Sequence, residues 1–155
     1  MYHLAQVNIA KTLAPMEDPI MADFVNNLDR INTLAESSLG FVWRLESDDD
    51  DTVAETVFGD NSLVINMSVW KSIDDLFNFT YKSDHVEIFA RRKEWFSKID
   101  SMHMVCWYVK QDHIPTLEEA KHRLEYVNTH GETPFAFTFK RKYSVDDYLN
   151  HNLNT

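Results

Sequence analysis

The stretch SLVINMSVWKSIDDLFNFTY, residues 62–81, decides the fold. Residues 62–70 are almost continuously apolar, as an interior strand is, and residues 72–81 then read as a helix. Working outward, residues 2–10 alternate, with Ala5, Val7 and Ile9 on one side and Leu4, Gln6 and Asn8 on the other, which predicts a half-buried strand. Between Asp18 and Ser37 the residues Ile20, Phe24, Leu28, Ile31 and Leu34 or Ala35 recur at helical spacing, with Asp18 as N-cap and Pro19 in the first turn. GFVWRLE (40–46) predicts a second strand, with Phe41, Trp43 and Leu45 on one face and Val42 and Arg44 on the other.

SDHVEIFARRKEWF (83–96) reads as a second helical piece, joined to the first with a bend near Lys82–Ser83, and HMVCWYV (103–109) predicts a fourth long strand. Thr116 and Glu119 form a T-x-x-E capping box ahead of a helix carrying Leu117, Ala120, Leu124 and Val127, which Gly131 is placed to end. The order strand, helix, two strands, helix, strand is the ferredoxin-like βαββαβ pattern of the α+β class, here with an extra C-terminal helix. One domain over residues 1–142 is expected, followed by a polar, frayed tail over 143–155. An antiparallel sheet with helices on one face leaves its other face open. Trp43 and Trp107 need cover, and pairing two sheets in a homodimer supplies it.

The formal net charge of −10 opposes a nucleic-acid partner, which needs a basic surface. Twenty aromatic residues suit a packed interior or an apolar pocket. The single cysteine, Cys106, excludes an intrachain disulfide, and a metal site would have to be assembled by the fold from scattered histidines. The four aspartates at 48–51 lack the spaced acid-and-glycine pattern of a calcium loop and read as an exposed loop. MYHLAQVNIA shows no basic region leading into an apolar block, and no apolar run reaches the roughly 18 residues of a membrane span. A cytoplasmic protein without membrane contact is expected.

The blocks AQVNIAKTLAPMEDP, GFVWRL, NMSVWKS, FTYKSDH, RRKEWF and HIPTLEEA, spread over residues 2–142, resemble an uncharacterised family of the dimeric α+β-barrel superfamily. That family is a domain of unknown function near the antibiotic-biosynthesis-monooxygenase-like proteins. The resemblance implies a ferredoxin-like fold and a barrel-forming dimer. Quinone-forming members of the superfamily use an Asn-x-x-x-Trp pair with an arginine, and Asn66 and Trp70 reproduce the spacing, with Arg92 or Arg44 as the arginine. Haem-degrading members share the W-K-S and K-S-D elements found at 70–72 and 82–84, but their iron-binding histidine and functional tryptophan correspond here to Ala90 and Thr80. Only Asn8 matches their polar first-strand residue, so haem binding is a weaker reading and no cofactor is expected.

Tyr81, His85, Ile88, Arg92, Trp95 and Ile99 follow at spacings of three and four, which predicts one continuous inward stripe. Arg92 on that stripe requires a carboxylate, a carbonyl or a ligand anion, and a salt bridge with its stem on Trp95 or Phe96 satisfies it equally. His85, one turn into the helix, is expected to stay neutral because the helix dipole lowers its pKa. His113, just before the capping box, braces the loop. The candidate catalytic set is Asn66, Trp70, His85 and Arg92. Asn8, Trp43, Arg44, Ser68, Tyr81, Trp95 and Trp107 are the candidate ligand contacts. The chemistry implied is binding of a small organic ligand, with cofactor-independent oxygenation or isomerisation of an aromatic or polyketide-like compound, against the alternative of a non-catalytic module whose polar residues are structural.

Overall fold

The structure is a computed structural model that describes residues 1–46, 57–59, 62–99 and 101–153. The aspartate run at 48–51 lies outside them. Five antiparallel strands form one sheet: β1 (Tyr2–Thr12), β2 (Phe41–Arg44), β3 (Leu63–Trp70), β4 (Phe96–Ser97) and β5 (Met104–Lys110). β1 is central, with β3 along one side and β5 along the other, while β2 lies outside β3. The two-residue β4 pairs with the end of β1 at Lys11 and Thr12. Among the described residues the helices are α1 (Ala22–Glu36), α2 (Ile73–Lys82), α3 (His85–Ala90), α4 (Leu117–His130) and α5 (Val145–Leu153). The β2–β3–β1–β5 order and the antiparallel pairing are those of the ferredoxin-like arrangement.

The ends of the elements follow the sequence signals. Asp18 accepts from the Ile20 amide at 3.0 Å and starts the 3-10 turn Pro19–Met21 that leads into α1. Ser72 caps α2 through the Asp75 amide at 3.1 Å, and Thr116 caps α4 through the Glu119 amide at 3.2 Å. Gly131, at φ +76°, ends α4 and returns its N–H to the Val127 carbonyl.

Each face of the sheet has its own core. Leu4, Trp70, Cys106 and Tyr108 pack with Ala35 of α1, Ile73 and Leu76 of α2, and Phe137. Ala5, Val7, Met67, Val69, Val105, Trp107 and Val109 pack with Leu117, Ala120, Leu124 and Val127 of α4. The second face is therefore covered by the chain's own helix. Trp107 is 0 % exposed there without a second copy, and Trp43 packs against the same cluster. Among the described residues, α4 thus covers the part of that face around Trp107, while Ile9, Trp43 and Ile65 stay half-buried.

Three local readings differ from expectation. A register shift between Phe41 and Trp43 sends Phe41 to the Trp70 side of the sheet, and Trp43 to the Val69 side. The extra residue of a bulge breaks the strict alternation on which the reading of 40–46 relied. The stripe from Tyr81 to Ile99 is not one helix. Ser83 is extended (φ −113°, ψ −179°), and α3 gives way to a 3-10 turn at Arg92–Glu94 and then to β4. The Ser83 hydroxyl donates to the Phe79 carbonyl and accepts from the His85 amide, a side-chain route that competes with continued helix. Finally, residues expected to fray carry α5, held by Tyr148 edge-on to Tyr2 at 5.8 Å.

Candidate functional site

Strand register brings five of the predicted residues to one face. Asn8 lies opposite Asn66, and Gln6 and Arg44 both lie opposite Ser68 across the two sides of β3. Trp70, two residues beyond Ser68, shares that face. The polar members form a chain of hydrogen bonds. Gln6 Nε2 donates to Asn66 Oδ1 at 2.7 Å and to Ser68 Oγ at 2.8 Å, and Trp70 Nε1 donates to the same hydroxyl at 2.9 Å. Gln6 and Ser68 are buried (5 % and 7 % exposed), Asn8 is half-buried, and Asn66 is exposed. The strip therefore runs from the apolar core out to solvent. At its edge, Arg44 Nε meets Glu36 at 2.7 Å, and a groove of about 580 Å³ is lined by Glu36, Trp43, Arg44 and their neighbours on β2.

Trp70 itself is a core residue, 1 % exposed, stacked on Phe79 at 5.2 Å and edge-on to Phe41 at 5.6 Å. His85 lies beyond Phe79, 5.0 Å from it, with Phe89 on another side at 6.1 Å. Its Nδ1 is 3.0 Å from the Thr80 carbonyl. Burial holds its pKa below the usual histidine value, partly opposed by that carbonyl bond. The direction matches expectation, but desolvation, not the helix dipole, is its cause.

Arg92 is exposed. It donates to the Phe89 carbonyl at 3.0 Å and lies 4.4 Å over the Phe89 ring. Its neighbour Arg91 holds the ion pairs, to Asp23 at 2.7 Å and to Glu94 at 2.8 Å, and sits 4.8 Å over Trp95. Those carboxylates raise the Arg91 pKa, and the Arg91 guanidinium in turn lowers that of Glu94. Trp95 is buried beside Phe24 of α1, and Tyr81 stands exposed beside Phe77. Asn66, Trp70, His85 and Arg92 are thus linked through intervening side chains rather than gathered around one space.

Two contacts lie apart from the strip. On the α4 side, Glu119 accepts from Trp107 Nε1 at 2.8 Å and meets His113 Nε2 at 2.7 Å. The capping-box glutamate thereby braces the loop through His113 and also satisfies a buried indole. Cys106 is fully buried, and burial drives its thiol pKa upward, against nucleophilic use. Among the described residues no cluster of three His, Cys, Asp or Glu side chains could hold a metal, and no helix is long and apolar enough to cross a membrane.

Gln6 is the member that sequence reading missed. On an alternating strand an amide looks like a solvent-side residue, and only the register with β3 places it against Asn66 and Ser68.

With the geometry in place, comparison with known proteins assigns the family. The chain belongs to the family described as Domain of unknown function (DUF3291), which matches residues 3–153. No functionally curated protein matches the sequence. Among solved structures, PA3566 from Pseudomonas aeruginosa is 10% identical with a TM-score of 0.46, covering 72% of this chain and 95% of its own. SnoaB, a cofactor-independent oxygenase from Streptomyces nogalater, is 13% identical with a TM-score of 0.45, covering 76% and 98%. NE2512, a protein of unknown function from Nitrosomonas europaea, is 12% identical with a TM-score of 0.46, covering 75% and 95%. At such identities a common shape does not carry a common chemistry.

Proposed function

We propose that this DUF3291 chain binds a small, flat organic molecule at the polar strip of its sheet. The contact residues are Asn66, Asn8, Ser68 and Arg44, and Trp43 forms part of the adjoining groove. The observation that carries this reading is the chain Asn66–Gln6–Ser68–Trp70, which places hydrogen-bonding groups across two strands and brings them to an exposed end beside an aromatic core. Buried amides and hydroxyls are expensive unless paired, and a strip that stays polar out to solvent suits ligand contact. A thermal-shift screen of planar aromatic acids and ketones, with haem alongside, tests it. A binder of the native state raises the melting temperature, and Asn66→Ala together with Arg44→Ala should remove most of that rise. A shift unchanged in both variants, or no shift from any compound, would sink the reading.

A second reading, cofactor-independent oxygenation or isomerisation of such a molecule, is favoured by one observation. Asn66 and Trp70 share a face and are joined through Gln6 and Ser68. In that scheme Asn66 orients the substrate, His85 moves a proton and Arg92 balances developing negative charge. Oxygen uptake with a ligand from the screen, unaffected by Asn66→Ala and Arg92→Ala, would exclude it. The homodimer belongs to the proposal at the outer edge of β2, which pairs with β3 alone among the described residues.

A further inference from the structure

The hydrogens of the strip can be counted. Ser68 Oγ accepts from Gln6 Nε2 and from Trp70 Nε1, so both of its lone pairs are in use. An indole N–H can only donate, which fixes the Trp70 bond in that sense. The Ser68 hydrogen must therefore point elsewhere, and no described residue accepts it. Gln6 Nε2 spends its two hydrogens on Ser68 and on Asn66 Oδ1. That bond turns the Asn66 carbonyl inward, and its NH2 group is left to the exposed side of a residue whose donors meet no described acceptor. Arg44, opposite Ser68 in the sheet, adds a cation whose Nε is held by Glu36. The strip presents an excess of donors.

We propose that Gln6 is a positioning residue that sets this polarity, and that the ligand carries acceptor oxygens (ketone, enolate or carboxylate) along one planar edge. The inference rests on the strip being the binding site, as proposed above. Gln6 is 5 % exposed and bonds to the side chains of both Asn66 and Ser68, so one amide governs the orientation of the exposed Asn66 amide and of the buried Ser68 hydroxyl behind it. A donor in its place turns the strip's hydrogens outward. An acceptor in its place would pull them inward and leave the Asn66 carbonyl facing the ligand.

Two neutral probes of similar size and opposite hydrogen-bonding character test this by calorimetric titration at pH 8: 1-acetylnaphthalene, an acceptor, and 1-naphthylamine, which carries donor hydrogens. The wild type should favour the ketone by about tenfold, equivalent to about 1.4 kcal/mol. Gln6→Glu should level or invert that preference. Asn66→Asp, at an exposed position that does not endanger the core, should do the same by replacing the outward NH2 with an oxygen. The ratio of the two affinities is the readout, because a merely structural residue would weaken both probes alike. Equal affinity for both probes in the wild type overturns the inference and leaves the binding reading standing. So does a ketone preference that survives Asn66→Asp. Binding of neither probe, with no hit in the thermal-shift screen, removes the site itself.

Discussion

Gly40 joins α1 to β2 at φ +85°, a conformation that side chains rarely adopt. A Cβ added there would lie 2.1 Å from Asp75 Oδ2 and 2.6 Å from the Asp75 Cβ, so both torsion and space forbid it. Gly40→Ala should cost about 1–3 kcal/mol in urea denaturation, and relative to Asp75→Gly alone the added cost of Gly40→Ala should shrink to the torsional part, because glycine removes the Cβ that alanine would keep. A neutral Gly40→Ala would show that the turn is not held this tightly. His85 gives a pH prediction. Its pKa is lowered in the folded protein, so near and below the unfolded value of about 6.5 the unfolded chain binds more protons. Stability that is complete above that value is then lost as pH falls toward the folded pKa. His85→Phe, which keeps the contacts with Phe79 and Phe89, should flatten the fall in urea midpoint between pH 7.5 and 5. An unchanged slope would show that His85 is not the titrating group.

At the scale of elements, the start of α4 is held by more than its cap. Glu119 supplies the amide that Thr116 accepts, and its carboxylate takes the Trp107 indole and His113. Glu119→Ala leaves a buried indole N–H unpaired and should cost about 1–3 kcal/mol, whereas Glu119→Gln keeps an acceptor and should cost less. Equal losses from the two variants would mean that the indole bond contributes little. This contact also shows what the sequence could convey. The T-x-x-E spacing announced the cap, because capping is local, but the use of the glutamate depends on a tryptophan one strand away. The same division runs through the other elements. The alternation of β1, the apolar run of β3, the stripe of α1 and a bend near Ser83 were legible, whereas the end of α3 at Ala90 and the bulge in β2 were not. The one-residue difference that gives Arg91 the ion pairs and leaves Arg92 exposed falls where α3 is capped at Arg91 and the 3-10 turn begins. The polar strip was half legible: Asn66, Ser68 and Trp70 follow from parity on one strand, and Gln6 requires the register between two.

For the whole molecule, the difference from expectation lies in what covers the sheet. A two-layer reading with helices on one face left Trp43 and Trp107 seeking a partner, whereas α4 turns the fold into three layers, with Leu117, Ala120, Leu124 and Val127 set into the second face. The capping box and Gly131 marked that helix clearly, yet nothing local in the sequence says on which face it lands. The two arrangements make opposite predictions for Leu124, which is 6 % exposed. With the face closed by its own helix, Leu124→Ala removes methyl groups from a core belonging to one chain. It should then cost about 2–5 kcal/mol at every protein concentration. If that face were instead buried between two copies, folding would be linked to association, and mass action would raise apparent stability with concentration. The gap between variant and wild type would then depend on how much dimer each forms. Denaturation of both proteins across a hundredfold range of concentration separates the cases. A constant gap supports the three-layer monomer core, and pairing of copies along the β2 edge would leave it constant too, because it would shift both curves together. A gap that widens as concentration rises would return the second face to a partner sheet and require α4 to sit elsewhere in the assembly.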